Sequence, residues 1–326
     1  MGWLPLKVSL LGLLGALLAG CTAQGPTLGT LPGNSLPTQT ELRATPFFPQ
    51  EDYQCGPAAL ATMLTASGIA TTPEALVPQV YLPKRQGSLQ PELIAASRQY
   101  DRLPYVLDPE LSQVVAEIAA GRPVLVMQNL GVAAYPIWHF AVVIGYDRNA
   151  EELVLRSGTT ERLLMSTRRF LASWSRAERW AMVLLEPGAL PVNPDPMRYL
   201  TAAAALEATG RLDAAAIAYA KGRERWPDLS LPHLGLANIA YTRGDLAGAI
   251  QAYDEALRRD PSNLVARHNL AESLAALGCM AAARRELDET KVLAQQTPFA
   301  AQVSATAQRV DAMPESAVPP ALCASR

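Results

Sequence analysis

The chain carries almost no net charge: 28 Lys and Arg stand against 30 Asp and Glu in 326 residues, with the two signs interspersed. That balance offers no basic stripe for nucleic acid and no cationic face for an anionic membrane surface, so charge points to neither partner. Histidine is scarce, with three residues, and cysteine stops at four. No Cys-x₂-Cys or His-x₃-His spacing occurs, so a metal ion would need ligands from unrelated segments. Neither a metal nor a cofactor is expected. The apolar or small-residue run at 8–20 counts only thirteen residues, too few to span a bilayer and suited to the core of a signal peptide. What remains is a Leu-, Ala-, Val- and Ile-rich chain, long enough for two domains with sizeable cores.

Two of the scarce residues fall where chemistry could use them. Cys55 stands just ahead of an alanine-rich helical pattern in Gln54-Cys55-Gly56-Pro57-Ala58-Ala59-Leu60, and Gln50 precedes it by five positions. His139 follows 84 positions later and opens the apolar run Phe140-Ala141-Val142-Val143. The Gly-Pro step ends the extended approach, and proline suits a first helical turn because the amide it lacks would be unpaired there. The sulfur then faces a helix N-terminus, whose dipole favours thiolate over thiol. A glutamine amide can donate to a developing oxyanion, and an imidazole can serve as general base and then acid. Taken singly, such a cysteine or histidine is more often structural than catalytic. Together they read as a cysteine-nucleophile site, because the other histidines, His233 and His268, belong to a separate helical region.

The chain follows two patterns. Over residues 45–188, helix signals at 57–66, 91–100 and 109–120 precede strand signals at 123–129, 138–146, 152–157, 162–166 and 180–186, an α+β order. The segment 22–44 is rich in Gly, Pro, Thr, Ser and Gln, has Glu41 and Arg43 as its only charges, and is expected to be a flexible tether. Glu151-Glu152 reads as a solvated turn, and the apolar stretch 131–136 as a hairpin connection or one wall of a cleft. After a proline-marked linker at 189–195, residues 196–297 repeat every 34 positions: Gly210, Gly244 and Gly278; Ala215, Ala249 and Ala283; Tyr219, Tyr253 and Leu287. Glycine permits the turn between antiparallel helices, alanine lets them approach, and Pro227 and Pro261 stop the second helix of a unit. Gln295 stands where the third closing proline belongs, so that helix is expected to run on. A C-terminal helical extension and tail occupy 298–326. Cys279 and Cys323 could form a bridge in an oxidising compartment; their spacing alone leaves this open.

Three resemblances sharpen these readings. The repeat resembles the tetratricopeptide repeat, in three copies, which implies an all-α domain that recruits a protein partner. Leu18-Ala19-Gly20-Cys21 resembles the bacterial lipobox, so residues 1–21 are expected to be a lipoprotein signal and Cys21 the lipidated residue, with the membrane as partner through the anchor. Thr22, rather than aspartate, after that cysteine implies the periplasmic face of the outer membrane rather than the inner one. Finally, Gln-x₄-Cys-Gly-Pro-Ala-Ala-Leu followed by His-Phe-Ala-Val-Val-Ile-Gly-Tyr-Asp resembles the bacteriocin-processing, double-glycine-leader peptidase family over residues 45–188. That resemblance implies a papain-like fold with Cys55 as nucleophile, His139 as base and Gln50 as oxyanion donor, Gln54 being a rival. The family's third member is an aspartate about 18 positions after the histidine, and here Ser157 holds that place. If 147–151 is a hairpin turn, Ser157 lies on the strand beside His139, on its face, where it could accept from imidazole Nδ1–H. Asp147 and Asn149 are candidate substitutes from the turn, but their expected distance from His139 argues against both.

The function expected from these features is a lipid-anchored periplasmic cysteine peptidase acting on a peptide or protein substrate, with its repeats recruiting a partner. The alternative is a catalytically weak or inactive peptidase-like assembly protein, for which Ser157 is the motive. An acyltransferase or amidase would share the first half-reaction.

Overall fold

The alanine-rich run after Cys55 forms helix α1 (Cys55–Ala66), with Gly56 to Leu64 all buried, as befits a helix apolar on every side. The computed structural model describes residues 27–31, 36–50, 54–314 and 323. Cys21 and the run before it lie outside these. Ahead of α1 comes β1 (Gln39–Glu41), and after it α2 (Pro73–Val80), α3 (Gln90–Gln99), β2 (Leu103–Val106), α4 (Leu111–Ala119), β3 (Val124–Asn129), β4 (Trp138–Asp147), β5 (Glu152–Ser157), β6 (Thr160–Ser166), α5 (Thr167–Ser175) and β7 (Ala181–Leu185). The strands form one antiparallel sheet in the order β2-β7-β3-β4-β5-β6, with β1 pairing β4 beyond the end of β3.

Alternation along β4 builds two cores. Phe140, Val142 and Ile144 pack with Leu60, Met63 and Leu64 of α1. Ala141 and Val143 face the other way, into a core with Val114, Val115 and Ile118 of α4 and Phe170 and Trp174 of α5. The sheet is therefore covered on both faces, and the N-terminus of α1 meets it near the first residues of β4.

Two expectations need correcting. The segment 22–44 is no loose tether where it is described. Leu28 is fully buried, Leu31 nearly so, and β1 adds a strand to the sheet. Glu151 does lie in a turn, but its carboxylate is not left to solvent. Its carboxylate accepts from Leu28 N (2.9 Å) and Gly29 N (2.7 Å), while Arg148 donates to the carbonyls of Leu28 (3.1 Å) and Leu31 (3.2 Å). A polar composition concealed two leucines that reach the core.

The repeats follow as helix pairs: α6 (Pro196–Ala208) with α7 (Leu212–Arg225), α8 (Ser230–Thr242) with α9 (Leu246–Arg259), and α10 (Leu264–Leu277) with α11 (Met280–Ala294), capped by α12 (Ala300–Asp311). Gly210, Gly244 and Gly278 all take positive φ (76°, 78° and 92°), the left-handed turn that glycine adopts without steric cost. Ala215, Ala249 and Ala283 are fully buried. The third unit does not run on past its missing proline: α11 ends at Ala294, and Thr297 N closes a turn onto its carbonyl. Cys279 and Cys323 are joined in a disulfide, with Cα atoms 5.3 Å apart.

The linker is held at several points. Val192 N donates to Glu117 Oε1 (2.6 Å) and Asp195 N to Tyr105 Oη (3.0 Å), and Arg198 pairs with Asp108 (2.5 Å). Tyr199, Leu200, Ala203 and Leu206 of α6 belong to the same core as the sheet, so the first repeat is fused to the α+β domain. Close helix packing next to that junction is set by Gly235, where an added Cβ would lie 2.2 Å from the Tyr219 ring. Gly235→Ala is expected to destabilise the helical region by about 1–3 kcal/mol, through overpacking against a rigid ring. The loss should appear as a lower melting midpoint in far-ultraviolet circular dichroism.

Candidate active site

Cys55 is the first residue of α1, so its own amide and that of Gly56 lie in a first turn that has no intrahelical acceptor for them. Those amides, together with Phe140 N–H, act to lower the thiol pKa, but burial outweighs them and pushes it up. The helix start thus opposes the cost of burying a thiolate without overcoming it.

His139 sits near the opening of β4 with 7% of its surface exposed. Burial holds its imidazole down to about 4. Its Nε2 lies 2.9 Å from Ser157 Oγ. The hairpin expected at 147–151 is present, with Asp147 Oδ1 accepting from Asn149 N (2.9 Å) and Ala150 N (3.0 Å), so the Asp147 carboxylate is spent on the turn and it is Ser157 that meets His139. Pairing of Val142 with Arg156 makes Ser157 a diagonal neighbour of His139 on the same sheet face. The expected atom differs: Ser157 meets Nε2, not Nδ1, which leaves Nδ1 as the ring nitrogen free for the sulfur. No hydrogen bond joins the thiol to the imidazole among the described residues, although both line one cleft.

That cleft encloses about 920 Å³ and is lined by Gln50, Cys55, His139 and Ser157 together. Gln50 N donates to Gly158 O (3.2 Å), which fixes the glutamine on the turn that follows Ser157. Gln54 does not line the cleft, and it precedes α1 with no capping bond from its side chain. Arg156 steadies the same segment from below, donating to Thr45 O (2.8 Å) and Arg43 O (3.3 Å) and, through Nη1, to Glu161 O (2.6 Å). This buried arginine goes unnoticed in the sequence, where its signal is a cation directly after the apolar run Leu153-Val154-Leu155 within one strand.

The two walls of the cleft differ in character. On one side Arg85, Gln86, Ser88 and Gln90 are polar. Ser88 packs so close to the nucleophile's neighbour that a Cβ on Gly56 would lie 2.2 Å from its hydroxyl. On the other side the β3–β4 connection exposes Leu130, Val132, Tyr135, Ile137 and Trp138. Asn129 Oδ1 stiffens that connection by accepting from both Gly131 N and Ile137 N at 3.0 Å. Of the two readings of 131–136, hairpin connection and cleft wall, the structure places Pro136 in the wall. Among the described lining residues none is acidic, and no cluster of metal-ligating side chains occurs among the described residues.

Residues 42–181 match the Peptidase_C39 like family, and residues 240–307 match the tetratricopeptide repeat. No curated protein matches the chain. Similar solved structures include a protein described as a C39-like peptidase from Bacillus anthracis, 17% identical over 45% of this chain and 97% of its own, with a TM-score of 0.39. The peptidase domain of Streptococcus ComA is 18% identical over 43% of this chain and 98% of its own, with a TM-score of 0.36. For the helical part, the translocator chaperone SycD of Yersinia enterocolitica is 20% identical over 35% of this chain and 82% of its own, with a TM-score of 0.34. The chain therefore carries a Peptidase_C39-like α+β domain followed by tetratricopeptide repeats.

Proposed function

We propose that the protein is a lipid-anchored, periplasm-facing cysteine peptidase whose helical repeats recruit a protein partner or substrate. The observation that carries this reading is the convergence of Cys55, His139, Gln50 and Ser157 on one cleft, drawn from three separate stretches of chain. In the reaction His139 takes the thiol proton at Nδ1, and the thiolate attacks the peptide carbonyl carbon to form an S–C bond. The oxyanion is held by Cys55 N–H and the Gln50 amide. Collapse breaks the C–N bond as His139 returns the proton to the leaving amine. Water, deprotonated by His139, then cleaves the thioester and restores the thiol.

Cysteine usage supports the compartment. Cys279 and Cys323 are paired, as in oxidising surroundings, and Cys55 is the one free cysteine among the described residues. A thiol left unpaired in such a compartment, and placed in the cleft, is best explained by use. The anchor rests on the lipobox-like Leu18-Ala19-Gly20-Cys21, with the outer membrane favoured by Thr22. Several acyl chains at roughly 0.8 kcal/mol per buried CH₂ would hold the protein firmly. Cys21→Ser is expected to move the protein from the membrane fraction to the soluble fraction with loss of the acyl mass; unchanged partitioning would exclude the anchor.

One observation favours a second reading, a peptide-holding assembly protein. Ser157 replaces an acid, and burial keeps both thiol and imidazole neutral. Incubation of the pure protein with a peptide library separates the two: cleavage supports the peptidase, and retention of intact peptides supports the holder.

A further inference from the structure

Beside His139 the sheet holds a second buried polar side chain that the scheme above leaves unused. Gln128 of β3 is the direct cross-strand partner of His139, so both side chains leave the sheet on the same face. It is fully buried. Its amide is oriented by α5. Ser173 Oγ gives its proton to Phe170 O (2.9 Å) and therefore accepts from Gln128 Nε2 (2.7 Å). With the nitrogen fixed on Ser173, the amide oxygen is turned elsewhere, and it is buried without a hydrogen-bond partner among the described residues. Ser157 occupies the opposite flank of His139.

A buried carbonyl left unpaired loses its hydration without recompense, so its persistence calls for a state in which it is used. That state is the imidazolium. When His139 takes the thiol proton it becomes a buried cation whose side-chain hydrogen-bond partner among the described residues is Ser157, and a hydroxyl brings no charge to offset it. The other polar groups around it do not help. Cys55 from α1 becomes the anion on the sulfur side. Arg156 of β5 is turned to the carbonyls of Thr45 and Arg43. Arg176, after α5, is spent on Asn129 O, and Arg85 on the far wall carries the wrong sign.

We propose that Gln128 is a positioning residue for His139, its unpaired amide oxygen supplying the buried negative dipole that steadies the imidazolium where a carboxylate is lacking. The proposal rests on the peptidase reading for its purpose, though not for its measurement. The His139 ring titration, read by NMR in the intact chain, needs no turnover. Gln128→Glu is expected to raise the His139 pKa by about two units, as a carboxylate within a few ångströms does. Gln128→Met, close in volume, is expected to lower kcat about tenfold with KM unchanged and to shift the acid limb of the rate profile. Ser173→Ala, which frees the amide to turn, should shift the titration while leaving the side chain in place. If Gln128→Glu fails to fold, the Ser173→Ala and Gln128→Met titrations decide. Variants that fold and leave the His139 titration and the rate profile where they were overturn the proposal. A shifted titration in a chain that cleaves nothing would leave it standing and remove the peptidase reading instead.

Discussion

Cys55→Ala and His139→Ala are each expected to abolish peptide-bond cleavage, a loss on the order of 10³-fold or more. The two effects should not add, because the groups act as one unit: without the thiol there is nothing for the imidazole to deprotonate, and the reverse. Neither substitution should unfold the chain. Cys55 is only partly buried and makes no disulfide, and the His139 side chain has Ser157 as its hydrogen-bonded partner among the described residues. Steady-state rates on a peptide library, with circular dichroism as the control for folding, measure the effect. Full activity in Cys55→Ala would make the thiol mechanism wrong. The resting state also makes a pH prediction. Burial raises the Cys55 pKa and lowers that of His139 to about 4, so near neutral pH the pair rests as thiol and neutral imidazole. Alkylation of Cys55 should therefore rise only at and above the ordinary thiol range near pH 8.5, unlike a preformed ion pair.

Ser157→Asp should carry the largest gain. A carboxylate at Oγ's position would stand about 3 Å from His139 Nε2 and favour the charged imidazole, raising its pKa by roughly 1–3 units. Proton transfer from the thiol then becomes less uphill, the alkylation profile moves to lower pH, and turnover rises roughly tenfold or more. Ser157→Ala removes an orienting hydroxyl and should cost far less than losing Cys55 or His139. Should parent and Ser157→Asp both prove inert while peptides still bind, the cleft is a holder and not a catalyst.

Much of this arrangement is legible in the residues. The 34-residue spacing of Gly210, Gly244 and Gly278 gives the helical pairs because only a left-handed turn residue fits each position. Ser157 could be placed beside His139 from a turn at 147–151 and strict alternation. What escaped has physical causes. Helix α2 contains Pro78 and β2 contains Pro104, residues that break a pattern read locally yet sit where the tertiary structure tolerates them. Helix α5, in Thr167-Arg168-Arg169-Phe170-Leu171, buries only one stripe. The N-terminal leucines are too few to stand out in a polar segment. Gln128 and Arg156 matter through what lies across the sheet from them, and cross-strand register is not written in either strand alone.

The capture of Leu28 by Arg148 and Glu151 bears on reach. In the anchored form we propose, only residues 22–27 separate the lipid-bearing cysteine from that first fixed point, a leash of at most about 20–25 Å. Arg148 and Glu151 lie just past the C-terminal end of β4, whereas Trp138 and His139 open it. Ten residues of strand, roughly 30 Å, separate them. In that proposed form so few residues would keep the foot of β4 close to the bilayer, and an upright strand would lift the cleft clear of the lipid headgroups. Substrate would then arrive from the aqueous compartment, and lengthening the leash would widen the area searched without altering the cleft itself.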